Sequence, residues 1–213
     1  MALAIRKSRT PVSRSHRTSP NAQEMLRIVV VGCSCSGKTT FSQRLAQVLG
    51  APHVEWDRLI GGPDGEGLWN YMHVERKPPQ VARALLAETI NQERWVYDGM
   101  IHASTEVVLS KATMVIWLNY SLPLVLWRSV KRNAVRGLQQ PTRRRQAAEL
   151  RDRFLSRSSH PKKVMRSFHR RRREYRRLFD APAVEHLRVV EFRRPAQAEE
   201  FLRGLKVHQP PVS

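Results

Sequence analysis

The sequence predicts an α/β fold of three layers: a five-stranded, mainly parallel sheet with helices on both faces and a basic helical lid. Three observations lead there. Short β-branched runs alternate with longer stretches of helical period, the order expected when parallel strands are joined by helical crossovers. The strand-like runs at 26–31 and 113–118 are apolar almost throughout, as strands covered on both faces are. Hydrophobic residues make up 41% of 213, enough for one sizeable core.

The elements follow in order. Leu26-Arg27-Ile28-Val29-Val30-Val31 is the first strand, followed at once by a Gly-rich loop. Thr40 to Leu49 carries Phe41, Leu45, Val48 and Leu49 at helical spacing and stops at Gly50. Pro52 to Trp56 is a short second strand, and 57–78 reads as loop, with four glycines and several prolines. A helix from Pro79 to Glu93 leads to a third strand, Trp95-Val96-Tyr97, ending at Asp98-Gly99. Thr113 to Leu118 is the fourth strand and Leu122 to Val135 the next helix. A Gln/Pro/Arg segment at 137–146 precedes one or two very basic helices reaching Phe179. Leu187 to Phe192 is the fifth strand and Pro195 to Leu205 the last helix. The expected organisation is a basic extension at 1–24, one domain at 25–207 with a lid at about 137–160, and a tail at 208–213.

The extension is rich in Arg, Ser, Thr and Pro, with Glu24 its sole acid. It lacks the apolar centre of a secretory signal and is expected to be disordered. An acid-poor, Arg/Ser-rich start also resembles an organelle transit peptide, and Met25 is an alternative start. No apolar run reaches the length of a membrane span. The 2 cysteines, Cys33 and Cys35, sit two apart in one loop, a poor geometry for a disulfide. They read as small fillers in a reducing, cytoplasmic compartment, with oxidation there a conceivable block to nucleotide binding.

The loop carries the chemistry. Gly32-Cys33-Ser34-Cys35-Ser36-Gly37-Lys38-Thr39 matches G-x-x-x-x-G-K-[ST], between a buried strand and a helix. Gly32 and Gly37 let the backbone turn and come close to phosphate oxygens. The N–H groups of the loop, through Thr40, point inward at the phosphates, and the helix N-terminus adds positive potential. Lys38 reaches the β/γ-phosphates and Thr39 ligates Mg²⁺. ATP and Mg²⁺ are therefore the expected cofactors. The N-K-x-D motif by which GTP-specific switch proteins read their base is absent. Arg128, Arg132 and Arg136 fall at i, i+4 and i+8, on one helical face. Phosphoryl transfer needs such cations on the oxygens that gain charge.

Asp98-Gly99 at a strand end, together with Leu122-Pro123 and the helix bearing Arg128 and Arg132, resembles the adenylate kinase family. That resemblance implies Asp98 at the Mg²⁺ and phosphate site, and Arg128 and Arg132 on transferring phosphates. A closer resemblance is to small bacterial P-loop proteins described as adenylate kinase-like or as DNA topology modulation proteins of the FlaR type. It rests on 28–39, Leu49-Gly50-Ala51-Pro52-His53 leading to Asp57, Trp95 to Gly99, Val115 to Leu118, Trp127-Arg128, the run Arg170 to Arg173, and Val189 to Arg193. Met100-Ile101 stand where that group has Asn-Tyr, and the adenylate kinase Asp-Gly-Phe-Pro-Arg is absent. The acceptor thus stays open.

Asp57, after the second strand, is either a base or hydroxyl acceptor for the phosphoryl acceptor, or a local cap. Shikimate and gluconate kinases place an acid similarly. Arg58, Arg76 and Arg83 are further candidates for an anionic acceptor, and Trp56, Trp69 and Tyr71 for stacking or for core. His53, His73 and His102 lack metal spacing.

Lys plus Arg number 38 against 18 acids, a net charge of +20. Between Met25 and Trp127 the two signs balance, so the excess lies in the extension and in 128–194. That region is either a lid, with Arg170 and Arg173 closing over ATP, or a nucleic-acid footprint. The expected activity is transfer of the ATP γ-phosphate to a small anionic or hydroxyl acceptor. The alternative is a nucleic-acid-associated protein regulated by ATP.

Overall fold

The computed structural model describes residues 27–61, 79–99, 105–139, 142–156 and 159–207. The expected extension and tail, and with them Trp69, Tyr71, His73, Arg76 and His102, lie outside the described residues.

Strand β1 (Arg27–Gly32) buries every side chain after Arg27. Burying a Val or Ile contributes about 1.5–3 kcal/mol, against about 1–2 kcal/mol for fixing one residue's backbone. A fully buried run of that kind therefore orders itself in the middle of a sheet. Helix α1 (Lys38–Leu49) follows the loop, then β2 (His53–Glu55) and α2 (Trp56–Gly61). Helix α3 (Pro79–Ile90) leads to β3 (Trp95–Asp98), and α4 (Thr105–Lys111) to β4 (Met114–Leu118). Three helices come next: α5 (Leu122–Leu138), α6 (Arg143–Leu155) and α7 (His160–Phe179). A 3₁₀ turn, β5 (Arg188–Phe192) and α8 (Pro195–Val207) complete the fold.

The strand order is β2-β3-β1-β4-β5, and all pairings are parallel. The expected five-stranded, mainly parallel sheet is therefore found, and among the described residues every strand in it is parallel. The crossover from β1 runs to β2 on one side of it, and the crossover from β3 passes β1 to reach β4 on the other, so a crevice opens at the carboxyl ends of β1 and its neighbours. Open α/β sheets bind ligands at such a switch point.

Each sheet face has its own core. One gathers Ile28, Val30, Phe41, Leu45, Ile116, Phe168 and Leu202. The other gathers Val29, Val31, Leu86, Trp95, Trp117 and Tyr175. Helix α7 contributes to both, with Val164 and Phe168 on one side and Tyr175 on the other. It therefore crosses over the sheet, and Tyr175 meets the carboxyl ends of two strands. Its hydroxyl donates to the Gly32 carbonyl at 3.2 Å, and its ring packs edge-on against Trp117 at 6.0 Å.

Two expectations change. The segment from 57 onward begins as helix: Trp56 is buried, and Asp57 lies in the first turn, where a carboxylate suits the positive helix end. Trp56 is thus a core residue, not an exposed stacking surface. Helix α4 was not expected. Its seven residues are too few to show a helical period, and Val108 and Leu109 hold it to the core by burial.

Candidate functional site

The phosphate loop is shaped by two glycines. A Cβ on Gly32 would stand 2.7 Å from Ser36 Oγ and 2.9 Å from the Leu118 carbonyl, so β4 leaves no space for a side chain there. Gly37 has φ of 90°, the left-handed region that other residues enter at a cost. Cys35 also lies there, with φ of 65°. Left-handed residues within a turn bring successive N–H groups to one side, an anion-binding concavity. Ser36 N–H closes the turn on the Cys33 carbonyl at 3.1 Å. Helix α1 starts at Lys38, with its N-terminus aimed at the same concavity.

Lys38 Nζ donates to the carbonyls of Gly32 and Cys33, at 3.1 and 3.4 Å, and so lies along the loop itself. Thr39 Oγ1 donates to Asp98 Oδ2 at 2.5 Å. Strand pairing sets this contact, because β3 runs beside β1 with Asp98 level with Val30. The two form a pair of hard oxygen ligands, the donor chemistry Mg²⁺ takes. Gly99 after Asp98 has a steric reason, since a Cβ there would meet the Tyr97 ring at under 3.0 Å. Of the remaining loop residues, Ser34 is half-buried, Ser36 is buried, and Thr40 faces outward.

Arg128 and Arg132 are both brought to the loop, in different ways. Arg128 Nη1 donates to the Ser36 carbonyl at 2.7 Å, and its guanidinium lies over the Tyr120 ring at 5.3 Å. It braces the loop from α5. Arg132 reaches His160 instead, its Nη2 standing 3.4 Å from Nε2. Arg128, Lys131, Arg132 and Arg136 line an open groove along α5.

The arginine run on α7 is oriented by its apolar neighbours. Phe168 and Tyr175 are buried, so the residues between them that share their face are Arg171 and Arg172. Arg170 and Arg173, expected to close over the phosphates, are exposed on the outer face, and Arg170 pairs there with Glu174. Arg172 lies over the Phe168 ring, and its Nε is buried with no hydrogen-bond partner among the described residues. Arg171 pairs with Glu174 at 3.3 Å. Burial pushes the Cys33 thiol up, while Lys38, Arg172 and Arg171 pull it partly back. Those three cations thus converge on one end of the loop.

On the β2 side, Asp57 lies half-buried in the first turn of α2. Glu55, the register partner of Asp98, has its carboxyl raised by burial and then by Asp98, with Asp57 adding to this and Arg58 opposing it. Three acids and one arginine therefore share this edge. Arg83 lies in α3. His53 is pushed down by burial, which favours its neutral form.

Glu55, Ser129, His160, Arg171, Arg172 and Tyr175 were missed from sequence. The phase set by Phe168 and Tyr175 is the signal that separates Arg171 and Arg172 from their neighbours. Tyr175 belongs to the site through its bond to Gly32, and burial holds its phenol protonated, far above the usual range.

Comparison with known proteins places the fold. No family model and no curated protein matches the chain. Shikimate kinase from Aquifex aeolicus aligns at TM-score 0.50 and 15% identity, over 85% of this chain and 94% of that one. Shikimate kinase from Acinetobacter baumannii, in complex with shikimate, aligns at TM-score 0.49 and 19% identity, over 87% and 94%. A gluconokinase from Sinorhizobium meliloti 1021 aligns at TM-score 0.47 and 15% identity, over 86% and 93%. At such identity the Aquifex match shows a shared fold, the three-layer P-loop fold. No described helix is long and apolar enough to cross a membrane.

Burial should also order the loop thiols. At about pH 8, iodoacetamide should label Cys35 at least about tenfold faster than Cys33, resolved by tandem mass spectrometry. Equal rates would mean that Cys33 is not enclosed.

Proposed function

We propose that this chain is an ATP-dependent phosphotransferase that transfers the γ-phosphate to a small acceptor, anionic or hydroxyl-bearing. The observation that carries the reading is the joining of a left-handed phosphate loop to a Thr39–Asp98 oxygen pair at one strand edge.

The chain's own residues divide the work. The N–H groups at the loop's left-handed turn and at the start of α1 would cradle the β-phosphate, and Lys38 would swing from its carbonyls to the β/γ-phosphates. Thr39 and Asp98 would hold Mg²⁺, which when bound would neutralise charge on the phosphates. Arg128 keeps the loop in shape while Arg132 offers a guanidinium to the transferring group. Arg171 and Arg172 supply the positive wall for an anionic acceptor, and Asp57 accepts a proton or hydrogen bond from its hydroxyl. Helix α6 is the element we assign to covering the site and excluding water. The adenylate kinase-like and FlaR-type resemblance supports the donor half of this reading. The shikimate kinase fold is compatible with a small acceptor.

Lys38→Ala should weaken MgATP binding about ten- to a hundredfold, the loss of a charge-assisted contact worth about 1.5–3 kcal/mol. Calorimetric titration measures it, and unchanged affinity would sink the reading. An acceptor screen over nucleoside monophosphates, nucleosides, sugar acids and oligonucleotides, read as ATP consumption, would name the acceptor.

One observation favours a second reading. Lys163, Arg166, Arg170, Arg173 and Arg177 are exposed at i, i+3, i+7, i+10 and i+14 on α7. They form a basic stripe about 21 Å long on the face away from the core. A nucleic-acid backbone fits that stripe, with ATP as a regulatory ligand. On this reading log Kd for a single-stranded oligonucleotide should change with log salt by about 0.7 per phosphate neutralised. No binding at low salt would remove it.

A further inference from the structure

His160 opens α7, directly after its N-cap Ser159, and its half-buried ring is inserted between α5 and the phosphate loop. Nε2 lies 2.9 Å from Ser34 Oγ and 3.4 Å from Arg132 Nη2. Nδ1 lies 2.8 Å from Ser129 Oγ and 3.9 Å from Cys35 Sγ. One imidazole thus touches two residues of the loop and two successive turns of the helix that carries the phosphate arginines.

We infer that His160 is a positioning residue that sets Arg132 in register with the phosphate loop, ready for the transferring phosphate. The inference rests on the phosphotransferase reading above and adds a residue to it.

For Arg132 to bond the ring, one tautomer is required. A guanidinium only donates, so Nε2, the atom facing Arg132, must accept. The ring proton then sits on Nδ1 and is donated to Ser129 Oγ. The single lone pair of Nε2 is shared, taking Ser34 Oγ–H at 2.9 Å from the loop side and the guanidinium at 3.4 Å. The imidazole is therefore a two-sided connector, with its acceptor nitrogen at the junction of arginine and loop. Its surroundings keep it neutral: burial, then Arg132, Lys163 and Arg136, push its pKa down to about 3. A charged ring would direct a second donor at the guanidinium and break the contact.

The geometry also explains why a histidine stands here. An arginine that must meet a developing charge gains from being held in place beforehand, since ordering then costs nothing at the moment of transfer. A carboxylate in place of His160 would hold Arg132 more strongly, but it would cancel the positive charge that transfer needs. A neutral acceptor orients the guanidinium and leaves its charge intact. Because the same ring bonds Ser34, a shift in the loop moves the arginine with it. Removing the ring should therefore spare ground-state nucleotide binding and weaken only binding of the transition-state form.

The test compares MgADP with MgADP plus aluminium fluoride, a mimic of the transferring phosphoryl group, by calorimetric titration. The full chain is used as wild type, His160→Ala, His160→Gln, Arg132→Ala and the double variant His160→Ala/Arg132→Ala. His160→Ala should leave the MgADP affinity within about threefold and cut the fluoride enhancement at least about tenfold. Adding it to Arg132→Ala should bring no further loss, since both act through one guanidinium. His160→Gln, whose Oε1 can accept where Nε2 does, should keep most of the enhancement and serves if the alanine variant does not fold. A full enhancement in His160→Ala, independent losses from the two positions, or no rescue by glutamine would each overturn the inference while leaving the phosphotransferase reading intact. Absence of MgADP binding by the wild type would overturn both.

Discussion

The carbonyl oxygen of Gly32 is where the molecule is tied together. It accepts from Lys38 Nζ at 3.1 Å and from the Tyr175 hydroxyl at 3.2 Å. Thus the last residue of the central strand, the lysine of the phosphate loop and the crossing helix all meet at one atom. The constraint behind this is steric. Ser36 Oγ and the Leu118 carbonyl fill the space a side chain on Gly32 would need, so the strand can end there only as glycine, and the loop can close only against β4. With the loop seated, the sheet delivers Asp98 to Thr39 and the helices deliver their cations. The parallel register leaves little freedom in that delivery, because moving β3 by one residue would turn Asp98 to the other face.

Positive charge near the site is sorted by depth. Arg128 is fastened to a loop carbonyl, Arg132 to a neutral imidazole, and Arg171 and Arg172 lie on the buried side of α7. The outer stripe of α7 is left to solvent or to a polyanion. A chain with +20 net charge can therefore carry two separate uses of that charge, one inside a crevice and one on a surface. The inner cations are half-buried and therefore less screened by salt. The outer ones weaken with added salt.

The loop of the candidate site was legible in the sequence because its parts are local. A phosphate loop needs glycine, lysine and a hydroxyl at fixed spacing between strand and helix, and 32–39 supplies them in one stretch. The buried strands were legible for a similar reason, since continuous apolar runs need no partner to be recognised. The acceptor half was not. Glu55 becomes relevant only because β2 pairs with β3 and sets it beside Asp98. The run from Arg170 to Arg173 has no contrast within itself, and the phase that separates its members comes from Phe168 and Tyr175 on either side. His160 is a lone histidine in the sequence around it, and its contacts with Ser34, Cys35, Ser129 and Arg132 reach residues 28 to 126 positions away, which no local pattern announces.

If the loop binds as proposed, affinity for nucleotide resides in its grip on the β-phosphate. Titration calorimetry with ATP, ADP, AMP and adenosine in the presence of Mg²⁺ tests it directly. The account requires ADP to bind within about tenfold of ATP and AMP to bind at least about a hundredfold more weakly, since only the first two present a β-phosphate to the cradle. AMP or adenosine binding as tightly as ATP would place recognition in the nucleoside and contradict it.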